Sequence, residues 1–169
     1  MGRVFPVERP GLAEAFALGP YAGAARRAVL AYKERGRREL AGVLGKTLAA
    51  ALPSLRAGPY VLVPAPSRPA AARARYGQHM TAVAHACAEA LGSAVVAPVL
   101  RLSGRARDSV GLGPQARAAN LRGRLRVVGA CPVGSVVLLD DVITTGATAV
   151  ACASALGVEV TVLAFTATA

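Results

Sequence analysis

At 169 residues the chain is long enough to bury a core in one compact domain without disulfides or a structural metal. A hydrophobic content of 54% excludes a disordered polymer. The formal net charge of +11 rests almost wholly on arginine, since Lys33 and Lys46 are the only lysines, and it points to anionic partners such as phosphorylated metabolites or nucleic acid. A solvated basic surface, or the arginine-rich bias of a GC-rich genome, accounts for the same charge. Abundant alanine and the absence of tryptophan predict helices that pack closely rather than around large aromatic anchors.

In chain order, residues 1–20 contain Pro6, Pro10, Gly11 and Pro20 and read as an irregular lead-in. From Gly23 to Gly36, apolar residues at Ala25, Val29 and Tyr32 predict a helix. A second helix runs from about Arg37 to Leu52, with Leu40, Val43, Leu44 and Leu48 on one stripe. The arginines around these helices, and Lys33 among them, read as a wet face. Tyr60–Val63 is a buried strand ended by Pro64, and the prolines at 64, 66 and 69 hold an extended loop. A helix from about Gln78 to Leu91 follows, then a strand from Ala94 to Arg101 weakened by Pro98. Ser103–Gly113 is a loop, Pro114–Leu121 a short helix, and Leu125–Val128 a brief strand. Ser135–Leu139 is a strongly apolar strand, Thr145–Leu156 a helix and Val158–Phe165 the last strand. Strands apolar on both faces and alternating with helices predict an α/β fold with a mainly parallel sheet covered on two sides.

Cys87, Cys131 and Cys152 include no CxxC pair, so they read as three buried thiols in a reduced cytoplasm rather than zinc ligands. The N-terminus has no apolar core of a signal peptide, and no stretch reaches the roughly 18 apolar residues of a membrane span. The reading is therefore a cytoplasmic protein without a membrane partner. His79 and His85, six apart, do not share a helical face as metal ligands would, and core or surface roles are expected for both.

The chemistry concentrates in Val136–Thr148. Four apolar residues end in Asp140 and Asp141, at the end of a strand where ligands sit in open α/β sheets. Their side chains point to different sides, and carboxylates there can accept from vicinal sugar hydroxyls or hold a hydrated Mg²⁺. Thr144, Thr145, Gly146, Ala147 and Thr148 then open a helix, with hydroxyls and free main-chain N–H groups suited to a phosphate. A diol site and a monophosphate nest a few residues apart match the two ends of a ribose 5-phosphate. The alternative is an ordinary strand–turn–helix with Asp and Thr as helix caps.

These thirteen positions resemble the phosphoribosyl pyrophosphate (PRPP) signature of type I phosphoribosyltransferases. Further segments are similar to the ComF/GntX branch of that family: Tyr21–Arg37 with Lys33 and Gly36, Val63–Arg68, Arg73–Gly77, and Asp108–Leu112 with Arg117, Asn120 and Leu121. That branch commonly carries an N-terminal zinc ribbon, which this chain lacks, so no zinc is expected. Tyr76 precedes Gly77 where the branch has Gly before an aromatic residue, and Ser109 stands where it often has Gln.

The resemblance implies a type I phosphoribosyltransferase-like domain over residues 21–169, with a helical hood at 21–58. It implies catalytic and Mg²⁺-linked roles for Asp140 and Asp141, and a 5-phosphate site at Thr144–Thr148. Ser67 and Arg68 would hold pyrophosphate, and Arg105, Arg107 and Asp108 would belong to a lid. Arg73 and Arg75 are candidates for the diphosphate or a nucleic acid backbone, and Arg117 and Asn120 could brace the lid. The implied reaction displaces pyrophosphate from PRPP by a nitrogenous acceptor, with Mg²⁺ on the diphosphate; no residue stands out as a general base. The alternative is a non-catalytic PRPP-binding accessory protein linked to DNA uptake, with single-stranded DNA as a partner. A homodimer is compatible with either.

Overall fold

β-branched and aliphatic runs build a six-stranded sheet in the computed structural model, which describes residues 3–67, 78–103, 121 and 123–169. Its strands are β1 (Phe5–Pro6), β2 (Glu14–Ala17), β3 (Tyr60–Pro64), β4 (Ala94–Val96), β7 (Ser135–Ile143) and β8 (Thr161–Ala167). The order is β1-β2-β8-β7-β3-β4. β1 runs antiparallel to β2, and every other pairing is parallel. β5 (Leu100–Leu102) and β6 (Leu125–Val127) form a separate antiparallel pair. Helices α1 (Gly23–Glu34), α2 (Leu40–Ala51), α3 (His79–Leu91) and α4 (Ala147–Leu156) cover the sheet. The architecture is α/β, with a mainly parallel mixed sheet flanked by helices, as the alternation of elements predicts. None of the described helices is long and apolar enough to cross a membrane.

The two-residue period of β7 divides the core. Val137 and Leu139 face one cluster, shared with Val29 and Tyr32 of α1, Leu48 of α2, and Met80 and Val83 of α3. Val136 and Leu138 face the other, shared with Ala149, Cys152 and Leu156 of α4 and with Leu100 and Leu125. A strand buried on both faces has no polar side, which is why its sequence reads as a continuous apolar run.

The structure departs from the sequence reading in several places. Residues 1–20 are not wholly an irregular lead-in: β2 pairs with β8, and Ala15 and Ala17 are buried. A four-residue strand between prolines and glycines leaves too short a period to read. The predicted strand over 94–101 is two strands, interrupted at Ala97–Val99, where Pro98 removes a ladder donor. β7 continues past Leu139 to Ile143, because Val142 and Ile143 pair with Thr166 and Ala167. Cys87 and Cys152 are buried, whereas Cys131 is exposed.

α2 and α3 meet closely through a glycine. A Cβ on Gly45 would lie 2.6 Å from the Ala86 Cβ and 2.8 Å from the Cys87 N and Val83 O atoms. Gly42, one turn earlier, has nothing within 4 Å of such an atom. Alanine favours a helix over glycine by up to about 1 kcal/mol, whereas overpacking against backbone costs about 1–3 kcal/mol. Gly42→Ala should therefore raise the urea midpoint of unfolding and Gly45→Ala should lower it.

Candidate functional site

β3 and β7 are neighbours whose chains leave in opposite directions. β3 leads through α3 to β4 on its far side, and β7 leads through α4 to β8 on its own far side. Such a reversal opens a crevice beyond the carboxyl ends of the two strands, the usual ligand position in open α/β sheets. Asp140, Asp141 and the turn at 144–146 end β7 there, and Ala65–Ser67 follow β3.

Strand alternation sends the two acids to opposite faces. Asp141 follows Val137 and Leu139 toward α1 and α3. There its Oδ2 lies 2.6 Å from Lys33 Nζ and 2.9 Å from His79 Nε2. Burial alone would raise this carboxyl, but the His79 hydrogen bond and the Lys33 ammonium outweigh it and hold Asp141 well below the usual carboxylate range. Asp141 is thus an ionised carboxylate with two donors on one oxygen. Asp140 follows Val136 and Leu138 to the α4 face, and its Oδ1 accepts the Asp141 N–H at 2.8 Å. Burial, then the neighbouring Asp141 charge, pushes Asp140 up to about 7. One acid is therefore held charged and the other is drawn toward its neutral form.

The network continues to the turn after β3. His79 Nδ1 lies 2.8 Å from Ser67 Oγ. The Ser67 N–H donates to Gln78 Oε1 at 2.6 Å. Tyr32 donates its hydroxyl to the His79 carbonyl at 2.6 Å, tying α1 to the first turn of α3. Ser67, His79, Asp141 and Lys33 thus form one chain of contacts across three elements and a turn.

After β7, Gly146 takes φ +77° and α4 starts with no side-chain cap. The nearest candidate is a long 3.4 Å contact from the Ala147 N–H to Thr145 Oγ1. Thr144 and Thr145 are exposed, and Ala147 and Thr148 half-buried. Asp and Thr acting as helix caps, the ordinary account of this motif, therefore finds little support here. An uncapped helix start presents main-chain N–H groups and the positive end of the helix dipole to an anion. Arg9 braces the turn from outside: its Nε donates to the Thr144 carbonyl at 2.7 Å and another guanidinium nitrogen to the Thr168 carbonyl. A Cβ on Gly146 would come within 3.0 Å of the Arg9 Cβ, so both backbone angle and packing call for glycine. A surface cleft of about 540 Å³ is lined by residues between Pro6 and Phe16, and its lining includes neither the acids nor the threonines.

The structure thus brings Asp141 and Ser67 into one network and sets Asp140 and Thr144–Thr148 beside it in the chain. It adds Lys33, His79, Gln78 and Arg9. His79 bridges residues 12 and 62 positions away in the chain, so no local spacing reveals it. His85 is exposed. Lys33, expected on a wet face, is instead 33% exposed and paired with a buried acid. The one signal for it was the need of a buried carboxylate for a cation. Arg68, Arg73, Arg75, Arg105, Arg107, Asp108, Arg117 and Asn120 lie outside the described residues.

The two acids do not fit a directly bound Mg²⁺. Asp141 Oδ2 already meets Lys33 and His79, and a divalent ion there would face an ammonium at close range. Asp140 is drawn toward the neutral form and already accepts a main-chain N–H. Among the described residues, no group of three His, Cys, Asp or Glu side chains is arranged to hold a metal.

No family model matches the chain, and no curated protein matches it.

The opposed acids predict a pH dependence of stability. Asp140 titrates at about 7 in the fold against an ordinary value of 3.8, so between these values only the folded state keeps the proton. The resulting stabilisation is full below about pH 4 and is lost as pH rises to about 7. Asp141, shifted the other way, contributes above about pH 4 and loses its contribution in stronger acid. Urea unfolding of Asp140→Asn from pH 4 to pH 7 should lack the decline in stability that Asp140 causes in the parent chain.

Proposed function

We propose that the chain binds PRPP beyond the carboxyl ends of β3 and β7, and that it is a ComF-type phosphoribosyltransferase of the type I fold. One observation carries the reading: at the crevice where β3 and β7 diverge, an ionised carboxylate is followed within a few residues by an uncapped helix start. A carboxylate that accepts from two vicinal hydroxyls, beside N–H groups that donate to a monophosphate, suits a 5-phosphoribosyl group. The thirteen-residue resemblance of Val136–Thr148 to the PRPP signature supports the same ligand.

In the proposed reaction the C1–O bond to diphosphate breaks and a C1–N bond to the acceptor forms, and the acceptor nitrogen loses a proton. The transition state carries positive charge on the sugar, as in glycoside cleavage. Asp141, kept ionised by its hydrogen bond from His79, supplies a fixed negative charge beside it. Asp140, drawn toward the neutral form, supplies hydrogen bonding without a second charge. The main-chain N–H groups of residues 145–148 hold the 5-phosphate. Mg²⁺ bound to the diphosphate would neutralise part of its charge; the two acids do not fit the ion directly.

One observation favours the second reading, a PRPP-binding accessory protein without transfer. His79, the imidazole beside the acids, has both ring nitrogens engaged, by Ser67 and by Asp141. It is not poised to take the acceptor's proton. Titration with PRPP, with and without Mg²⁺, tests both. The parent chain should bind, and the Asp140→Asn, Asp141→Asn double variant should bind at least tenfold more weakly, the cost of losing hydrogen bonds to a charged group, about 1.5–3 kcal/mol. No binding by the parent chain would contradict both readings. Pyrophosphate release with any member of a panel of nitrogenous bases selects the transferase; silence across the panel selects the binding protein.

A further inference from the structure

Lys33 occupies the oxygen that a sugar diol would need. Its ammonium rests 2.6 Å from Asp141 Oδ2, and this ion pair is its one polar contact among the described residues. Two features let it leave without unmaking the site. Its side chain is 33% exposed, so the ammonium sits at the rim and not in the core. His79 Nε2 contacts the same oxygen, so Asp141 keeps a donor when Lys33 moves. The helix that carries Lys33 does not need to shift, because Val29 and Tyr32 anchor it in the core and the Tyr32 hydroxyl binds the His79 carbonyl.

The turn after β3, where a diphosphate is expected, brings no charge at Ser67. The Ser67 N–H is given to Gln78 Oε1, and its hydroxyl is already in contact with His79 Nδ1. An anion arriving there gains from a mobile ammonium. Adjacent strands lie about 4.8 Å apart, and a lysine stem of four methylenes can swing its ammonium across such a spacing. Asp141 lies just past the last β3 pair of β7, and Ser67 follows β3.

Resting on the PRPP reading, we infer that Lys33 is an ionic latch on Asp141 that selects a sugar carrying two anions. The ribose hydroxyls displace Lys33 from Asp141, and the diphosphate on C1 receives it. A sugar with the 5-phosphate alone must break the same ion pair and offers the ammonium nothing on that side. The latch therefore penalises a ribose monophosphate and rewards a 1-diphosphate.

The test is calorimetric titration of the full chain with PRPP and, separately, with ribose 5-phosphate, for the parent, Lys33→Met and Lys33→Arg. Lys33→Met should bind PRPP at least tenfold more weakly and ribose 5-phosphate more tightly, a change of opposite sign for the two ligands. Lys33→Arg, which keeps a cation on a similar stem, should retain the preference for PRPP. A purely structural role for Lys33 would weaken both ligands together. A parallel change for both, or no change for either, overturns the latch and leaves the PRPP reading standing. A parent chain that binds neither ligand overturns both, and thermal melting of each variant verifies that it is folded before its affinities are compared.

Discussion

The Asp141 carboxylate, ionised and 8% exposed at the end of a central strand, is the constraint on which the rest of the site depends. An unpaired charge in that position would cost several kcal/mol in lost hydration. The fold answers with Lys33 from α1 and His79 from the first turn of α3, both on one oxygen. Each must be held in place, and each is: α1 by Tyr32 on the His79 carbonyl, and His79 by Ser67 on its other nitrogen. One buried charge thereby fixes the relative positions of two helices, the central strand and the turn after β3.

The second acid shows what the same strand does when no cation among the described residues pairs with it directly. Asp140 points to the α4 face, finds a main-chain N–H, and is driven toward its neutral form. Two adjacent identical residues thus acquire opposite electrostatic characters from the two-residue period of β7. Pairs of acids with separated titration are a recurrent feature of sites that handle charge.

The α/β class, the helical layers and the strand–turn–helix of Val136–Thr148 were legible in the sequence. Those features rest on local patterns: apolar runs, helical spacing, and two acids followed by Thr-Thr-Gly-Ala-Thr. The opposite orientation of Asp140 and Asp141 was legible too, since strand geometry alone dictates it. β2 was not, because four residues between prolines and glycines carry no period. The cation partners were not, because Lys33 and His79 reach Asp141 across the fold and sit in helices whose own patterns mark them as surface and core. Arg9 escaped for the same reason, as its partners Thr144 and Thr168 lie at the other end of the chain. Local sequence encodes the elements and one motif; the electrostatic support of that motif is long-range.

We propose that a phosphoribosyl ligand sits in the crevice beyond β3 and β7. A crystal structure of the chain grown with PRPP tests it most directly. Ribose hydroxyls are expected within hydrogen-bond distance of Asp141, with the 5-phosphate on the main-chain N–H groups of residues 145–148. A ligand bound elsewhere on the surface, with Asp141 still engaged by Lys33 and His79 alone, would contradict it.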